Sequence, residues 1–235
     1  MNSEPLSPNC KAIYSHKEHV CFGISPFNSY FSETKITQLA LWGKTNFKAM
    51  HFFIPDVPAA YTLEAVGYSA EKAEWKARRQ AQYLKNKIVR VLQALLFSSD
   101  QINEMIVDWK RLTSNEVYQT SFHTLSNLFE MDPKFRKNCL EASRWVMENK
   151  VPNPDDLTED ILLHAVKYFL TELPLFIDTA EILNQKSSVF CYHQKVDFLE
   201  RLFNENLSCR PSRRQGFIVL QSPDIHADQE LQGIS

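Results

Sequence analysis

Short apolar runs alternate along the chain with longer stretches in which apolar residues recur every three or four positions. The short runs predict strands, and the longer stretches predict helices with one buried face. The predicted strands cover residues 20–25, 49–55, 102–109, 187–193 and 216–222. The predicted helices cover 32–47, 69–97, 114–131, 133–149, 157–171 and 196–206. Pro174 should end the helical stretch that begins at residue 157. This alternation predicts an α/β fold with a mostly parallel central sheet wrapped by helices.

The first predicted strand places unusually small side chains on one face. Side chains alternate between the two faces of a strand, so Cys21, Gly23 and Ser25 point one way while Phe22 and Ile24 point the other. A packed core normally fills both faces with bulky residues. The small face therefore predicts the wall of a cavity.

Composition narrows the classes of protein that remain possible. The 235 residues carry a net charge of −2, which gives no general reason to expect a nucleic-acid partner, and we expect no DNA partner. The chain contains no run of about 18 apolar residues that would predict a membrane span, and its N-terminus lacks a signal-peptide pattern, so we expect a cytoplasmic protein. We also expect a monomer. Residues 1–17 are polar and predict a flexible arm before one domain at 18–235. The cysteines are widely spaced, which favours reduced thiols over a disulfide frame or a metal site: Cys10, Cys21, Cys139, Cys191 and Cys209.

The predicted helix at 69–97 carries most of its charge with one sign. Residues 71–90 include seven basic side chains and only two acidic ones. The spacing puts most of the cations on one side of the helix: Lys72, Lys76, Arg78, Arg79, Lys85, Lys87 and Arg90. Either this is an ordinary solvated face, or the repeated cations contact the phosphate backbone of a nucleic acid. Spacing alone leaves both readings open.

Two further groups of residues suggest chemistry. Tyr168 and Glu172 are four residues apart in a helix, so their polar ends share a face and could receive an amine. The alternative is a tyrosine at the rim of the core beside a solvated glutamate. Ser25 and Tyr192 both lie at carboxyl ends of predicted parallel strands, where α/β sheets usually hold their ligands.

Three blocks together resemble the cyclodipeptide synthases: "GISPFNSYFS", the Y-x-x-x-E-x-P-L-F pattern at 168–176, and "SSVFCYH". The resemblance implies a single Rossmann-like domain similar to the catalytic domain of class I tyrosyl- and tryptophanyl-tRNA synthetases. It implies an enzyme that joins amino acids from two aminoacyl-tRNAs into a 2,5-diketopiperazine, without ATP, metal or other cofactor. It also implies that the basic helix binds tRNA.

The resemblance assigns a role to each matching residue. Ser25 matches the nucleophile that carries the aminoacyl and then the dipeptidyl group, and Tyr168 and Glu172 match the pair that grips the α-amino group. Tyr192 matches a proton shuttle, and Asn28 matches an asparagine characteristic of one subgroup. The first amino acid's pocket is expected from Cys21, Gly23, Trp109, Leu175 and Phe190. This apolar lining predicts hydrophobic substrates such as phenylalanine, leucine, tyrosine or methionine.

Two other functions compete with this interpretation. A non-catalytic tRNA-binding module would explain the basic helix, but it gives no reason for Ser25, Tyr168, Glu172 and Tyr192. A serine acyl hydrolase would explain Ser25, and it should act on small esters without tRNA.

Overall fold

A computed structural model describes residues 1–148, 150–204 and 206–221. Within these ranges the strands are β1 (Asn2–Pro5), β2 (His19–Gly23), β3 (Ala49–Phe53), β4 (Ile106–Val107), β5 (Ser188–Tyr192) and β6 (Gln215–Gln221). The α-helices are α1 (Pro8–Ser15), α2 (Glu33–Asn46), α3 (Ala59–Ala65), α4 (Ala70–Ala94), α5 (Ser99–Met105), α6 (Trp109–Thr113), α7 (Glu116–Met131), α8 (Pro133–Glu148), α9 (Glu159–Ile182) and α10 (Asp197–Phe203). A short 3-10 helix covers Pro154–Asp156.

The strands form one sheet in the order β1-β6-β5-β2-β3-β4. All neighbouring pairs are parallel except β1 with β6, which is antiparallel. The prediction of an α/β fold with a mostly parallel sheet is therefore confirmed. The chain runs outward from β2 to β3 and β4, then returns to place β5 on the other side of β2. Ligands of open α/β sheets bind at such a switch point, outside the carboxyl ends of the strands.

Helices cover both faces of the sheet, and each face has its own apolar core. On one face, Phe53, Phe190 and Phe217 pack with residues of α7, α8, α9 and α10. On the other face, Phe22 and Phe52 pack with residues of α2, α4 and α5. Strands buried on both faces read as continuous apolar runs, which is why β2, β3, β5 and β6 could be predicted from sequence.

The prediction of a flexible arm at residues 1–17 is wrong. Residues Asn2–Pro5 pair with β6, and α1 follows with Ser7 as its N-cap. Cys10 and Ile13 anchor α1 in the interior, at 0% and 5% exposure. Two apolar residues on one helical face suffice to bury a segment whose composition is otherwise polar. The predicted domain at 18–235 includes residues 222–235, which lie outside the described residues.

The predicted strand at 102–109 is also largely wrong. Only Ile106–Val107 pairs with β3, while the preceding residues form α5. Ser98 and Gln101 form a reciprocal capping box that begins this helix, and the local cap prevails over the apolar strand pattern. Asp108 then caps α6 by accepting a hydrogen bond from the Arg111 amide.

Pro174 does not end a helix as expected. Helix α9 continues through Pro174 to Ile182, and the only non-helical backbone inside it is at Asp178. A proline ring interrupts the backbone ladder of the preceding turn. The buried hydroxyl of Tyr118 donates a 2.9 Å hydrogen bond to the carbonyl of Thr171 in that turn. This bond joins α7 to α9 in the turn before Pro174. No helix in the described residues is long and apolar enough to cross a membrane.

Candidate active site

Ser25 stands just beyond the carboxyl end of β2. The amide of Ile24 still bonds the Phe53 carbonyl at 2.9 Å, and the chain then leaves the sheet. Two residues later Phe27 has a φ of +62°, a left-handed conformation that is uncommon for a bulky residue. Such strain recurs where a fold holds functional groups in place. The turn positions the Ser25 hydroxyl at the edge of the sheet, next to the end of β5.

The hydroxyl of Ser25 contacts the phenol of Tyr192. The Ser25 Oγ and Tyr192 Oη atoms are 3.1 Å apart, and either can donate. Tyr168 of α9 also interacts with Ser25 through its phenol. Burial raises the pKa values of both tyrosines, so each phenol keeps its proton at neutral pH. The serine therefore lies in a hydrogen-bonded group of two neutral phenols, and the structure brings together three residues that sequence separated widely.

Glu172 lies one turn beyond Tyr168 on the same face of α9. Burial raises the pKa of its carboxyl group from 4.5 to about 7, although a hydrogen bond with Tyr168 has a smaller, lowering effect on the same pKa. Such a carboxyl group titrates near neutral pH and is ready to ionise when a cation arrives. The Tyr168–Glu172 pair therefore fits an amine ligand.

A histidine that sequence reasoning missed joins this group. The side-chain oxygen of Asn28 accepts the Tyr30 amide proton at 3.0 Å, which orients its Nδ2 toward His193 Nε2 at 3.4 Å. The His193 ring stacks on the Tyr30 ring with centroids 4.1 Å apart. Burial lowers the pKa of His193 to about 4, so its imidazole is neutral at pH 7. The signal in the sequence was its position directly after Tyr192.

A cavity of about 410 Å³ opens beside these residues. Every residue to which the resemblance gives a catalytic role lines it: Ser25, Asn28, Tyr168, Glu172 and Tyr192. Two of the expected pocket residues also line it, Gly23 and Phe190. The other three lie outside its lining. Cys21 and Leu175 are fully buried in the core, and Trp109 packs edge-on against Tyr118.

The space left by Gly23 is occupied by the ring of Phe190. A Cβ atom at position 23 would lie 2.8 Å from Phe190 Cε1 and 2.9 Å from its Cζ. The rings of Phe176 and Phe217 hold Phe190 in place, with centroids 4.8 Å and 6.0 Å away. The cavity wall here is aromatic and close-packed. Sequence reasoning missed Phe176 and Phe217, which line the same cavity.

The seven predicted cations all lie on α4, and several have partners. Arg78 pairs with Glu74 and Arg90 with Glu33, at 2.7 Å and 2.6 Å. Lys85 lies 3.7 Å from Asp108, and Lys87 donates to the Phe31 carbonyl. The ammonium groups of Lys72 and Lys76 lie over the Tyr68 ring. Four of the seven cations are exposed and three are partly buried: Lys72, Arg78, Arg79 and Arg90 are exposed, and Lys76, Lys85 and Lys87 are partly buried. Within the described ranges, no cluster of three His, Cys, Asp or Glu residues could hold a metal ion.

The sheet holds a serine, two phenols and a carboxyl group beside its switch point, which defines an α/β enzyme with a serine in its active site. The family model for cyclodipeptide synthases matches residues 1–222. The chain belongs to the cyclodipeptide synthase family and is an enzyme that forms cyclic dipeptides. The family resemblance of the three sequence blocks is thereby confirmed.

Two curated relatives cover nearly the whole chain. Cyclo(L-tyrosyl-L-tyrosyl) synthase from Mycobacterium tuberculosis is 32% identical over 94% of this chain and 75% of that protein. Cyclo(L-leucyl-L-leucyl) synthase from Bacillus subtilis is 31% identical over 93% of this chain and 88% of that protein.

Solved structures give the same result. A cyclodipeptide synthase from Bacillus thermoamylovorans superposes with a TM-score of 0.87 at 35% identity, covering 95% of this chain and 96% of that chain. A Mycobacterium tuberculosis protein superposes at 0.82 and 30% identity, covering 94% and 93%, and was described as demonstrating that these enzymes are related to type I tRNA synthetases. A more distant structure shares the fold, with a TM-score of 0.50, 14% identity, and coverage of 88% and 91%. It is a synthase from Candidatus Glomeribacter gigasporarum bound to Phe-tRNAPhe.

Proposed function

We propose that this enzyme takes both amino acids from aminoacyl-tRNAs and joins them in a ping-pong reaction on Ser25. The observation that carries the proposal is the 3.1 Å contact between Ser25 Oγ and Tyr192 Oη, in a cavity that also holds Tyr168 and Glu172. A nucleophile, two phenols and a carboxyl group that titrates near pH 7 are what such a reaction needs.

In the first step, the Ser25 hydroxyl attacks the ester carbonyl of one aminoacyl-tRNA. The bond from the carbonyl carbon to the tRNA oxygen breaks, and the tRNA leaves with a hydroxyl group that takes up the serine proton. Tyr192, in contact with Ser25, is suited to pass this proton. The ester is already activated, so positioning supplies much of the rate and a strong base is not required.

The α-ammonium group of the bound amino acid is received by Glu172 and Tyr168. A nearby cation favours the ionised form of Glu172, so binding drives its proton out and forms a charge-assisted hydrogen bond. The amine of the Ser25-bound amino acid, after giving one proton to the Glu172 carboxylate, attacks the ester carbonyl of the second aminoacyl-tRNA. The bond to the oxygen of that tRNA breaks, the tRNA leaves with a protonated hydroxyl group, and a dipeptidyl ester remains on Ser25. The free amine of this dipeptide finally attacks the carbonyl carbon of the Ser25 ester, closes the ring, and returns the proton to Ser25.

Two observations support aminoacyl-tRNA as the donor. The outer face of α4 carries exposed cations at helical spacing, and cations of this kind provide most of the affinity for RNA phosphates. A distant protein of the same fold has been solved with Phe-tRNAPhe bound. We propose that α4 contacts tRNA phosphates through Lys72, Lys76, Arg78, Arg79, Lys85, Lys87 and Arg90.

The substrates that we propose are hydrophobic amino acids. The cavity is lined by aromatic side chains, among them Phe169, Phe176, Phe190 and Phe217. Curated relatives are named for leucyl and tyrosyl products. One methylene changes binding in such a pocket by only about 1–3 kcal/mol, so several apolar side chains should compete.

The test is product analysis of the chain and of two serine variants. The wild type, incubated with a mixture of aminoacyl-tRNAs, should release cyclic dipeptides detectable by mass spectrometry. The Ser25→Ala variant should release none. A matched control, Ser15→Ala, removes the same atom from an exposed serine at the end of α1 and should behave as wild type.

Other outcomes would contradict the proposal. A folded wild type that binds tRNA and yields no cyclic dipeptide would be a non-catalytic tRNA-binding module. Equal hydrolysis of small esters with and without tRNA would indicate an acyl hydrolase. Product from Ser25→Ala would show that the nucleophile is another residue.

A further inference from the structure

Two large aromatic side chains are exposed on the outer face of α4. Trp75 is 56% exposed and Tyr83 is 48% exposed. They are eight residues apart, so they lie on the same side of the helix. Arg79 stands midway between them, and we refer to Trp75, Arg79 and Tyr83 as the aromatic ladder.

The ladder is an organised structure. The Arg79 guanidinium carbon lies 5.1 Å from the Trp75 ring centroid and 5.6 Å from that of Tyr83. Its Nε also donates a 2.9 Å hydrogen bond to the Tyr83 hydroxyl. Cation–π contacts and one directed hydrogen bond therefore hold a planar cation between two rings.

The core of the protein does not explain these rings. The residues of α4 that pack inward are small or aliphatic: Ala73, Ala77, Ala81, Leu84, Ile88, Val91 and Leu92. Isolated exposed apolar residues are ordinary, but two exposed aromatic rings lined up with one arginine on a basic face are more typical of an interaction surface.

The position of the ladder links it to the cavity. Ala73 and Ala77, on the opposite side of the same turns, belong to a small cluster with Ala59 and Ala60, against which Tyr168 packs. The ladder therefore lies about one helix diameter, roughly 10 Å, from an active-site residue. Lys72, Lys76 and Arg78 flank it, so the surface is complementary to a polyanion.

We propose that the aromatic ladder binds an unpaired nucleotide of the tRNA by stacking. This inference rests on the proposed use of aminoacyl-tRNA, and it adds a contact that the cations cannot supply. Unpaired bases expose a flat face that stacks on Trp, Tyr and the guanidinium plane of Arg, whereas the bases inside a duplex are already stacked. The ladder thus favours the single-stranded end of a tRNA over its stem.

The test separates stacking from charge by measuring tRNA affinity over a series of salt concentrations. Total bacterial tRNA is titrated against the wild type, Trp75→Ala, Tyr83→Ala and Arg79→Ala. A cation variant should flatten the dependence of log affinity on log salt by about one unit. An aromatic variant should instead lower affinity about ten-fold at every salt concentration and leave the slope unchanged.

Two controls accompany these variants. Met131→Ala removes an apolar side chain that is 82% exposed at the end of α7, and it should leave tRNA affinity unchanged. Far-UV circular dichroism and thermal unfolding verify that each ladder variant is folded. As a second readout, tRNA should quench tryptophan fluorescence more in the wild type than in Trp75→Phe.

Each result decides between distinct conclusions. If Trp75→Ala keeps wild-type affinity, the stacking proposal is overturned. If Trp75→Ala flattens the salt slope as Arg79→Ala does, the rings only hold the arginine, and stacking is again overturned. If the wild type shows no salt-dependent tRNA binding at all, the proposed function itself fails.

Discussion

The buried carboxyl group of Glu172 predicts a specific dependence of stability on pH. Burial raises its pKa from 4.5 to about 7 in the folded protein. Each pKa unit corresponds to about 1.4 kcal/mol, so ionised Glu172 should destabilise the folded state by about 3 kcal/mol. Replacement by glutamine keeps the size and the ability to accept a hydrogen bond from Tyr168, and it removes the charge.

The sign follows from where the proton is held. Below pH 4.5 both folded and unfolded chains keep the proton, so Glu172 adds no pH dependence. Between pH 4.5 and about 7 the unfolded chain releases it while the folded chain retains it, and stability falls as pH rises. Above pH 7 both states are ionised, and the full destabilisation of about 3 kcal/mol is present.

Urea unfolding monitored by circular dichroism, at pH values from 4.5 to 8.5, measures this difference. The free energy of unfolding of Glu172→Gln minus that of the wild type should increase by about 3 kcal/mol as pH rises, and this difference should then level off. Glu33→Gln is the matched control, because the Arg90 hydrogen bond lowers the pKa of Glu33, so Glu33 is ionised in both states over most of this range and its difference from the wild type should stay nearly flat. A difference for Glu172→Gln that is flat, or that shrinks with rising pH, would refute this reasoning.

Three further predictions concern other parts of the molecule. Gly23→Ala should destabilise the fold by about 1–3 kcal/mol in urea unfolding, because its Cβ would meet the Phe190 ring, and adding Phe190→Leu should restore most of the loss; no rescue would contradict the contact. Tyr118→Phe should cost about 0.5–1.5 kcal/mol by removing the buried hydrogen bond between α7 and α9; an unchanged midpoint would contradict it. Lys76→Ala should flatten the salt slope of tRNA binding by about one unit while Lys137→Ala on α8 leaves it unchanged; equal slopes would argue against α4 as the RNA contact.

Elements buried on both faces were the most predictable part of the fold. Strands β2, β3, β5 and β6 stand out as short apolar runs because helices cover both sides of the sheet. Helix α4 stands out because its apolar stripe repeats over many turns. Segments 1–17 and 102–105 were not predictable in this way, because two apolar anchors and a capping box outweigh composition. The predicted helix end at Pro174 was wrong because the tertiary contacts of α9 stabilise the helix across a proline that would end an isolated helix.

The site was predictable where it depends on strand ends and not where it depends on packing. Ser25 and Tyr192 were each expected at the carboxyl end of a parallel strand; the two strands are neighbours and the two side chains are in contact. The arrangement around Gly23 depends on the register of β2 and β5, in which Cys21 lies beside Phe190. Period-two alternation identified the small face but could not show that a ring from the next strand fills it.

The central claim is that Ser25 carries the amino acid during the reaction. Its most direct test is to mix the enzyme with one kind of aminoacyl-tRNA, quench with acid, and analyse the peptide containing Ser25 by mass spectrometry. The account predicts a mass increase equal to one aminoacyl or one dipeptidyl group on that serine, absent from Ser25→Ala. An unmodified Ser25 peptide in an enzyme that still forms cyclic dipeptide, or a label that persists in Ser25→Ala, would contradict it.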